Sequence, residues 1–186
     1  MTPEKSPIAH VEAISDGRLI IWDFSESRKL YQSGYYGKPL GIAKPRDDFN
    51  APLILDPIEG VYLLEKGLIS ISSYSGEIID LEELRLNAKK ILDGFDIRYL
   101  VYNDLREKGF IVTPGIKYGC DFAVYEKGPG VDHAPFIVQV KTSDEELSAQ
   151  EIVESGRLAS TVRKTFIIAV ISDSEVNYYS FKWWRP

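Results

Sequence analysis

The alternation of hydrophobic and polar positions over residues 18–53 predicts two short elements followed by a long loop. The run RLIIWDF (18–24) is rich in β-branched and aromatic side chains, which favours a strand. The polar run SESRKLYQS (25–33) is typical of a short helix, with Ser25 as its N-cap. Residues 34–53, GYYGKPLGIAKPRDDFNAPL, show no period and are rich in Gly, Pro, Asn and Asp, which predicts a loop.

Residues 56–95 carry the clearest helix signals in this half. Asp56 is in position to cap a helix, Pro57 to occupy its first turn, and Gly67 to end it. The segment DLEELRLNAKKILDGF (80–95) is amphipathic and predicts a second helix. Its apolar face would consist of Leu81, Leu84, Ala88, Ile91 and Leu92.

Gly94 is a candidate domain boundary, because a different pattern begins after it. We therefore predict an N-terminal domain over residues 1–94 and a C-terminal domain over residues 95–186. The fold class that these patterns indicate is α+β. The N-terminal domain would be a small α/β unit, and the C-terminal domain a mixed sheet flanked by helices.

The predicted C-terminal domain starts with a helix over residues 95–109, which Gly109 ends. The residues at helical spacing in it are Ile97, Leu100, Val101, Asp104 and Leu105. A second helix spans residues 148–164, capped near Ser148. Strand patterns occur in FIVT (110–113), DFAVYE (121–126), PFIVQVKT (135–142), TFIIAVIS (165–172) and VNYYSFKWW (176–184).

Composition and charge indicate an ordinary globular protein. The 186 residues are 44% hydrophobic and 27% charged, and the net charge of −6 argues against indiscriminate coating of nucleic acid. From Ile97 onward, 11 Lys and Arg face 12 Asp and Glu, so a local basic site stays possible there. The single cysteine, Cys120, excludes an internal disulfide. Without a long apolar run or a signal-peptide core at the start, we expect a cytoplasmic protein.

Three polar residues at element ends are candidates for chemistry: Tyr118, His133 and Lys164. Tyr118 lies in GIKYGCDFAVY, where we expect the chain to turn rather than pack, and a half-buried ring with a solvated hydroxyl is the alternative. Gly115 and Gly119 on either side allow backbone angles that other residues avoid. The other histidine, His10, falls in what we expect to be a frayed N-terminus, and strand ends can bring distant residues together.

The runs that carry these residues resemble a known family. GFIVTPGIKYGCDFAVYEKGPGVDHAPFIVQV (109–140) and RLASTVRKTFIIAV (157–170) are similar to the C-terminal catalytic domain of archaeal tRNA splicing endonucleases, and GVYLLEKG (60–67) resembles a helix of their N-terminal domain. The resemblance implies a restriction-endonuclease-like fold in the C-terminal domain. It also implies that Tyr118, His133 and Lys164 form a catalytic triad that needs no metal or other cofactor.

The implied reaction is excision of introns from precursor tRNA at bulge–helix–bulge motifs. The 2′-hydroxyl attacks the adjacent phosphate, giving a 2′,3′-cyclic phosphate and a 5′-hydroxyl. The mechanism proposed for the family implies Tyr118 as the base, His133 as the acid and Lys164 as the stabilising cation. A free phenol has a pKa of about 10 and imidazole one of about 6.5. The sequence therefore leaves open which group takes the first proton.

Two alternatives come from the same stretch. Asp121, Gln139 and Lys141 resemble the metal-binding pattern of restriction-type nucleases, although Gln139 replaces the carboxylate that Mg²⁺ prefers. Asp121 could instead hydrogen-bond backbone groups and shape the tyrosine turn. The chain could also be a non-catalytic structural subunit, but it keeps all three residues of the triad.

The resemblance also suggests RNA contacts. Arg157 matches a family arginine that stacks on a bulge base, and Arg185 is a looser candidate for its partner. A solvated helix face or an ion pair with Glu154 is the alternative for Arg157. Lys44 lies in the long loop, which we interpret as an RNA-touching arm that widens the range of accepted bulges. An ordinary solvated loop is the alternative.

For assembly, the family pairs subunits through C-terminal strands, a role that VNYYSFKWW (176–184) fits. Pairs are then joined by an acidic loop, for which SDSEV supplies Asp173 and Glu175. A polar hairpin turn is the alternative. We favour a heterotetramer of two catalytic and two structural subunits over a homotetramer. The sequence gives neither the subunit composition nor the intron positions accepted.

Overall fold

The computed structural model describes residues 6–46 and 48–181. The chain divides into two compact units, Met1–Phe95 and Asp96–Pro186. In the described ranges there are five α-helices and two mixed five-stranded sheets, which confirms the α+β class. No helix within these ranges has the length and apolar character needed to cross a membrane.

The N-terminal unit is a five-stranded sheet with three helices. Its strands lie in the order β3-β4-β2-β1-β5, with β1 and β5 parallel and the other pairs antiparallel. Its elements are β1 (Ala9–Ala13), β2 (Leu19–Ile21), α1 (Phe24–Gly34), β3 (Lys38–Pro39), β4 (Leu53–Leu55), α2 (Pro57–Glu65), β5 (Ile69–Ser73) and α3 (Leu81–Ile91).

Aspartates cap all three helices of this unit. Asp56 caps α2 and forms a capping box with Glu59, as its position before Pro57 predicted. The predicted cap of α1 is wrong. Asp23 has the extended backbone of an N-cap and accepts from Glu26 N at 2.8 Å, so Ser25 already lies inside the helix.

Three other sequence predictions for this unit need correction. His10 lies in β1, where the parallel partner β5 brings Ser70 and Ser72 to 3.0 Å from its two ring nitrogens, so it is not frayed. The long loop contains the two-residue strand β3, which pairs with β4. On α3, Leu84 and Ala88 are buried as predicted, whereas Ile91 is 52% exposed.

The C-terminal unit is a second five-stranded sheet, ordered β10-β9-β8-β7-β6. Its elements are α4 (Phe95–Glu107, which starts at the last residue of the other unit), β6 (Ile111–Pro114), β7 (Phe122–Tyr125), β8 (Phe136–Thr142), α5 (Ala149–Thr161), β9 (Thr165–Ser172) and β10 (Glu175–Phe181). Strands β8 and β9 are parallel and joined through α5, and the other neighbours are antiparallel.

The buried face of α4 matches the predicted one only in part, with Val101 and Leu105 buried as predicted. Leu100 is 37% exposed and Ile97 is half-buried. Tyr99 and Tyr102 are buried instead, and the Tyr102 hydroxyl accepts from Arg106 Nε at 3.0 Å. Helical spacing alone favoured the aliphatic residues and missed these aromatic ones, whose polar groups find partners when buried.

Candidate active site

The Tyr118 turn is a single turn of 3₁₀-helix, Ile116–Tyr118, between β6 and β7. It closes on hydrogen bonds from Tyr118 N and Gly119 N to the carbonyls of Gly115 and Ile116, at 2.8 and 3.1 Å. Gly119 adopts a left-handed φ of 64°, as the sequence predicted. The turn therefore sets Tyr118 directly beside the sheet.

Gly115 serves this turn for a different reason from the one predicted. Its φ of −87° is open to any residue. A Cβ at this position, however, would lie 2.6 Å from the carbonyl oxygen and from the sulfur of Cys120. Glycine is needed because two segments of backbone approach closely.

Burial raises the pKa of the Cys120 thiol to about 11, so it is protonated at neutral pH.

The Tyr118 ring is half-buried, as the alternative predicted, and the expectation that it lies outside the packed part of the fold is wrong. It packs against an apolar cluster on the sheet and on α5. The members of this cluster are Ile137, Ala159, Phe166 and Ile168. Such packing restricts the ring, so the phenol is presented from a fixed position.

Lys164 lies where α5 turns into β9. Arg163 takes a left-handed φ of 54°, and Lys164 N donates to Ala159 O at 2.8 Å, which ends the helix abruptly. The Lys164 ammonium lies 5.0 Å from the centroid of the Tyr118 ring. It also donates a hydrogen bond to the carbonyl of Ala134. One lysine thus contacts both the tyrosine turn and the loop that carries His133.

His133 is exposed, whereas Ala134 after it is buried. Besides the bond from Lys164, this segment is tied to β9 by Thr165 N, which donates to Pro135 O at 2.8 Å. The structure therefore joins Tyr118 and Lys164 directly, and joins His133 to them through the backbone of its neighbour. The half-buried Lys164 ammonium lies beside the Tyr118 ring and the loop that carries His133. A cation in this position suits a negatively charged phosphate.

The residues predicted for RNA contacts and assembly that the structure describes are all exposed. Arg157 is exposed on α5, and Lys44 is exposed in the loop between β3 and β4 of the other unit. Asp173 and Glu175 are exposed at the hairpin between β9 and β10. Arg185 lies outside the described residues.

Asp121 follows the tyrosine turn, and its side chain is 7% exposed. Its carboxylate accepts from Arg98 Nε at 2.6 Å, Gln139 Nε2 at 2.8 Å and Val140 N at 2.7 Å. Lys141, the other member of the metal pattern, pairs with Glu145 at 3.0 Å. These contacts support the structural interpretation of Asp121. The sequence did not single out Arg98, because its helical spacing alone does not show what it faces.

Comparisons with known proteins decide the family. A family model described as the tRNA intron endonuclease catalytic C-terminal domain matches residues 95–178, and one for the N-terminal domain of the same family matches residues 12–85. The chain belongs to the tRNA intron endonuclease family. The prediction of an enzyme that cleaves at tRNA introns is confirmed with it.

Relatives of this endonuclease match it over most of its length. A tRNA-splicing endonuclease of Hyperthermus butylicus is 46% identical over 91% of this chain and 95% of its own. One of Saccharolobus islandicus is 46% identical, and one of Saccharolobus solfataricus 42%, each over 89% of this chain and 93% of its own. The match spans both units.

Proposed function

We propose that this endonuclease excises introns from precursor tRNA at bulge–helix–bulge motifs, by metal-independent transesterification at Tyr118, His133 and Lys164. The observation that carries the proposal is the position of the Lys164 ammonium. It lies over the Tyr118 ring and is bound to the residue after His133. A phosphate at this cation would have a phenol and an imidazole as neighbours. As location we propose the cytoplasm.

Tyr118, His133 and Lys164 together account for the proton transfers and the charge stabilisation that the reaction needs. Tyr118 starts as the phenolate and takes the proton of the 2′-hydroxyl, whose oxygen attacks the adjacent phosphorus, so that Tyr118 ends as the neutral phenol. The bond from phosphorus to the 5′-oxygen breaks, and His133 starts as the imidazolium, donates a proton to that oxygen and ends as the neutral imidazole. Lys164 stabilises the charge that grows on the non-bridging oxygens. The products are a 2′,3′-cyclic phosphate and a 5′-hydroxyl, and no oxidant or other co-reactant is needed.

The alternative metal-dependent mechanism is less well supported by the contacts. Both oxygens of the Asp121 carboxylate already accept hydrogen bonds, one from a guanidinium and the other from an amide side chain and a backbone N–H. A cation would have to displace Arg98 or these donors. Gln139 donates to the same carboxylate through Nε2. In this arrangement Asp121 and Gln139 act as structural partners.

A chelator separates the two mechanisms. With the substrate kept folded by monovalent salt and spermidine, single-turnover cleavage in excess EDTA is expected to match cleavage in Mg²⁺. The substrate fold is checked on a native gel in the same buffers, and a restriction nuclease serves as the chelator-sensitive control. A chemical step that requires Mg²⁺ would overturn the triad and favour Asp121 with Lys141.

RNA contacts are proposed at Arg157 and Lys44, both of them exposed. Glu154, the alternative partner of Arg157, accepts a hydrogen bond from Gln150 Nε2 at 2.8 Å. A guanidinium plane stacks on an unpaired base in a way that an ammonium cannot. Lys44 lies in the loop that we propose as an RNA-touching arm. Arg185 stays a predicted partner of Arg157.

Both contacts are tested in one cleavage assay with a standard and an irregular bulge substrate. Arg157→Lys is expected to lower the cleavage of both substrates about tenfold, because the lysine side chain cannot stack on the unpaired base. Lys44→Ala is expected to impair only the irregular substrate. Arg18→Lys, at an exposed ion pair with Asp16, is the matched control. Wild-type activity of Arg157→Lys, or equal effects of Lys44→Ala on both substrates, would contradict these roles.

For assembly we propose pairing through β10 and docking through the hairpin that follows β9. Strand β10 is an edge strand of its sheet and exposes Tyr179 and Phe181. The hairpin is a two-residue turn with left-handed φ at Asp173 and Ser174, which places Asp173 and Glu175 at an exposed tip. A two-plus-two heterotetramer with a structural subunit is the proposed form, and a homotetramer is the alternative.

Charge reversal tests the docking role. Asp173→Lys combined with Glu175→Lys is expected to give a folded but smaller assembly with little cleavage activity, measured by light scattering and cleavage. Asp144→Lys combined with Glu146→Lys reverses two exposed carboxylates elsewhere in the same unit and is the control. If both double variants keep the wild-type mass and rate, the hairpin carboxylates are merely solvated.

A further inference from the structure

The loop that leads to His133 is organised around one carboxylate. Asp132 Oδ2 accepts hydrogen bonds from the backbone N–H groups of Glu126 and Lys127, at 3.2 and 3.1 Å, and Oδ1 accepts from Gly128 N at 2.8 Å. Three successive backbone donors therefore converge on the residue that directly precedes His133. Hydrogen bonds to an ionised acceptor are stronger than neutral ones.

The backbone of the same loop closes on itself. Val131 N and Asp132 N both donate to Gly128 O at 3.1 Å. Gly128 and Gly130 have φ of 123° and 86°, a conformation that other residues adopt only with strain. Pro129 and Asp132 also form an isolated β-bridge. The loop is thus a compact ring around the Asp132 carboxylate.

His133 lies between the loop that closes around Asp132 and a second fixed point, the neighbouring residue Ala134. On its far side the Ala134 carbonyl accepts from Lys164, and Ala134 is buried. The imidazole itself is exposed, as a group that must reach the substrate has to be. The described neighbours supply no hydrogen bond to the His133 ring. Its placement therefore depends on the backbone that is fixed on both sides.

From this arrangement we infer that Asp132 is a positioning residue for cleavage, which holds the His133 backbone where the imidazole reaches the departing 5′-oxygen. The inference rests on the proposed role of His133. Misplacement of a reacting group by about 1 Å can cost on the order of 100-fold in rate. A role in stability alone would instead act on cleavage independently of His133.

A double-mutant cycle with the full chain in its active assembly tests this role. Asp132→Ala is expected to lower the single-turnover rate about 10- to 100-fold with little change in RNA affinity. In a His133→Ala background the same change is expected to have no further effect, because the group that it positions is absent. Hydrogen exchange at the amides of residues 126–128 should rise.

Two variants serve as references in the same assays. Asp132→Asn keeps one acceptor oxygen and is expected to recover part of the rate. Glu126→Ala removes an exposed charge from the same loop but leaves the Asp132 carboxylate and its backbone donors unchanged. This variant is expected to behave as wild type. Should Asp132→Ala fail to fold, Asp132→Asn takes its place in the cycle.

The outcomes are distinct. If His133→Ala cleaves at the wild-type rate, the proposed role of His133 falls and the positioning role falls with it. If His133→Ala is slow but the Asp132 variants are fast, or if the two changes multiply in the double variant, only the positioning role is overturned. A slow Asp132 variant whose effect vanishes in the His133→Ala background supports it.

Discussion

Replacing Lys164 with alanine is expected to slow the chemical step of cleavage by about 100- to 1,000-fold, the usual cost of removing one group that stabilises transition-state charge. The ammonium lies over the Tyr118 ring, where we propose that the reacting phosphate binds. The charge on that phosphate grows mainly in the transition state, so RNA affinity should change little. Single-turnover rates at saturating enzyme, with separate binding measurements, check both parts.

Two other lysine variants make this result specific. Lys164→Arg keeps the charge and a donor for Ala134 O, and should retain more activity than alanine. Lys141→Ala removes a lysine from the neighbouring strand, where it pairs only with Glu145 and Glu151 among the described residues, and should cleave normally. A severe loss in Lys141→Ala with a mild one in Lys164→Ala would reverse our assignment.

Replacing Asp121 with alanine is expected to lower the free energy of unfolding of the C-terminal unit by about 3 kcal/mol, the lower end for breaking a buried ion pair. The change leaves the Arg98 guanidinium without this partner and removes the acceptor for Gln139 and Val140 N. Arg98 is 28% exposed, so water screens part of the loss. Urea unfolding followed by a probe in this unit measures the effect.

Glu146→Ala is the control, because this carboxylate is exposed in the same unit and its removal should leave unfolding unchanged. The result also bears on mechanism. If Asp121→Ala is as stable as wild type but inactive, Asp121 acts in chemistry rather than in folding. The metal-dependent alternative would then regain support.

The local signals of the sequence predicted local structure well. Asp56 and Ser148 cap their helices with capping boxes, since the side chains that do so are neighbours along the chain. The run TFIIAVIS became strand β9 with its predicted bounds. The candidate triad came from a resemblance rather than from spacing. Its Tyr118–Lys164 contact depends on the register of three strands, which no local pattern shows.

The features that the sequence did not show depend on contacts that form only in the folded chain. The position of His10 depends on β5, 60 residues away along the chain. Gly115 was expected to serve a special backbone angle, whereas the approach of Cys120 is what excludes a side chain. Arg98 and Asp132 went unnoticed because their partners are fixed only in the folded chain. An aspartate within a Gly-Pro-Gly loop was the one available signal for Asp132.

The framework of the site and its reactive groups are largely separate sets of residues. Within residues 6–46 and 48–181, neither the Tyr118 hydroxyl nor the His133 ring has a hydrogen bond, while Asp121, Asp132 and the backbone hold the two loops. After gene duplication, one copy could therefore lose the Tyr118 hydroxyl and the His133 imidazole without losing these hydrogen bonds, provided that it kept the ring at position 118 that packs on the apolar cluster. Under the proposed mechanism, a sister protein with these two changes would keep this fold and no longer cut RNA.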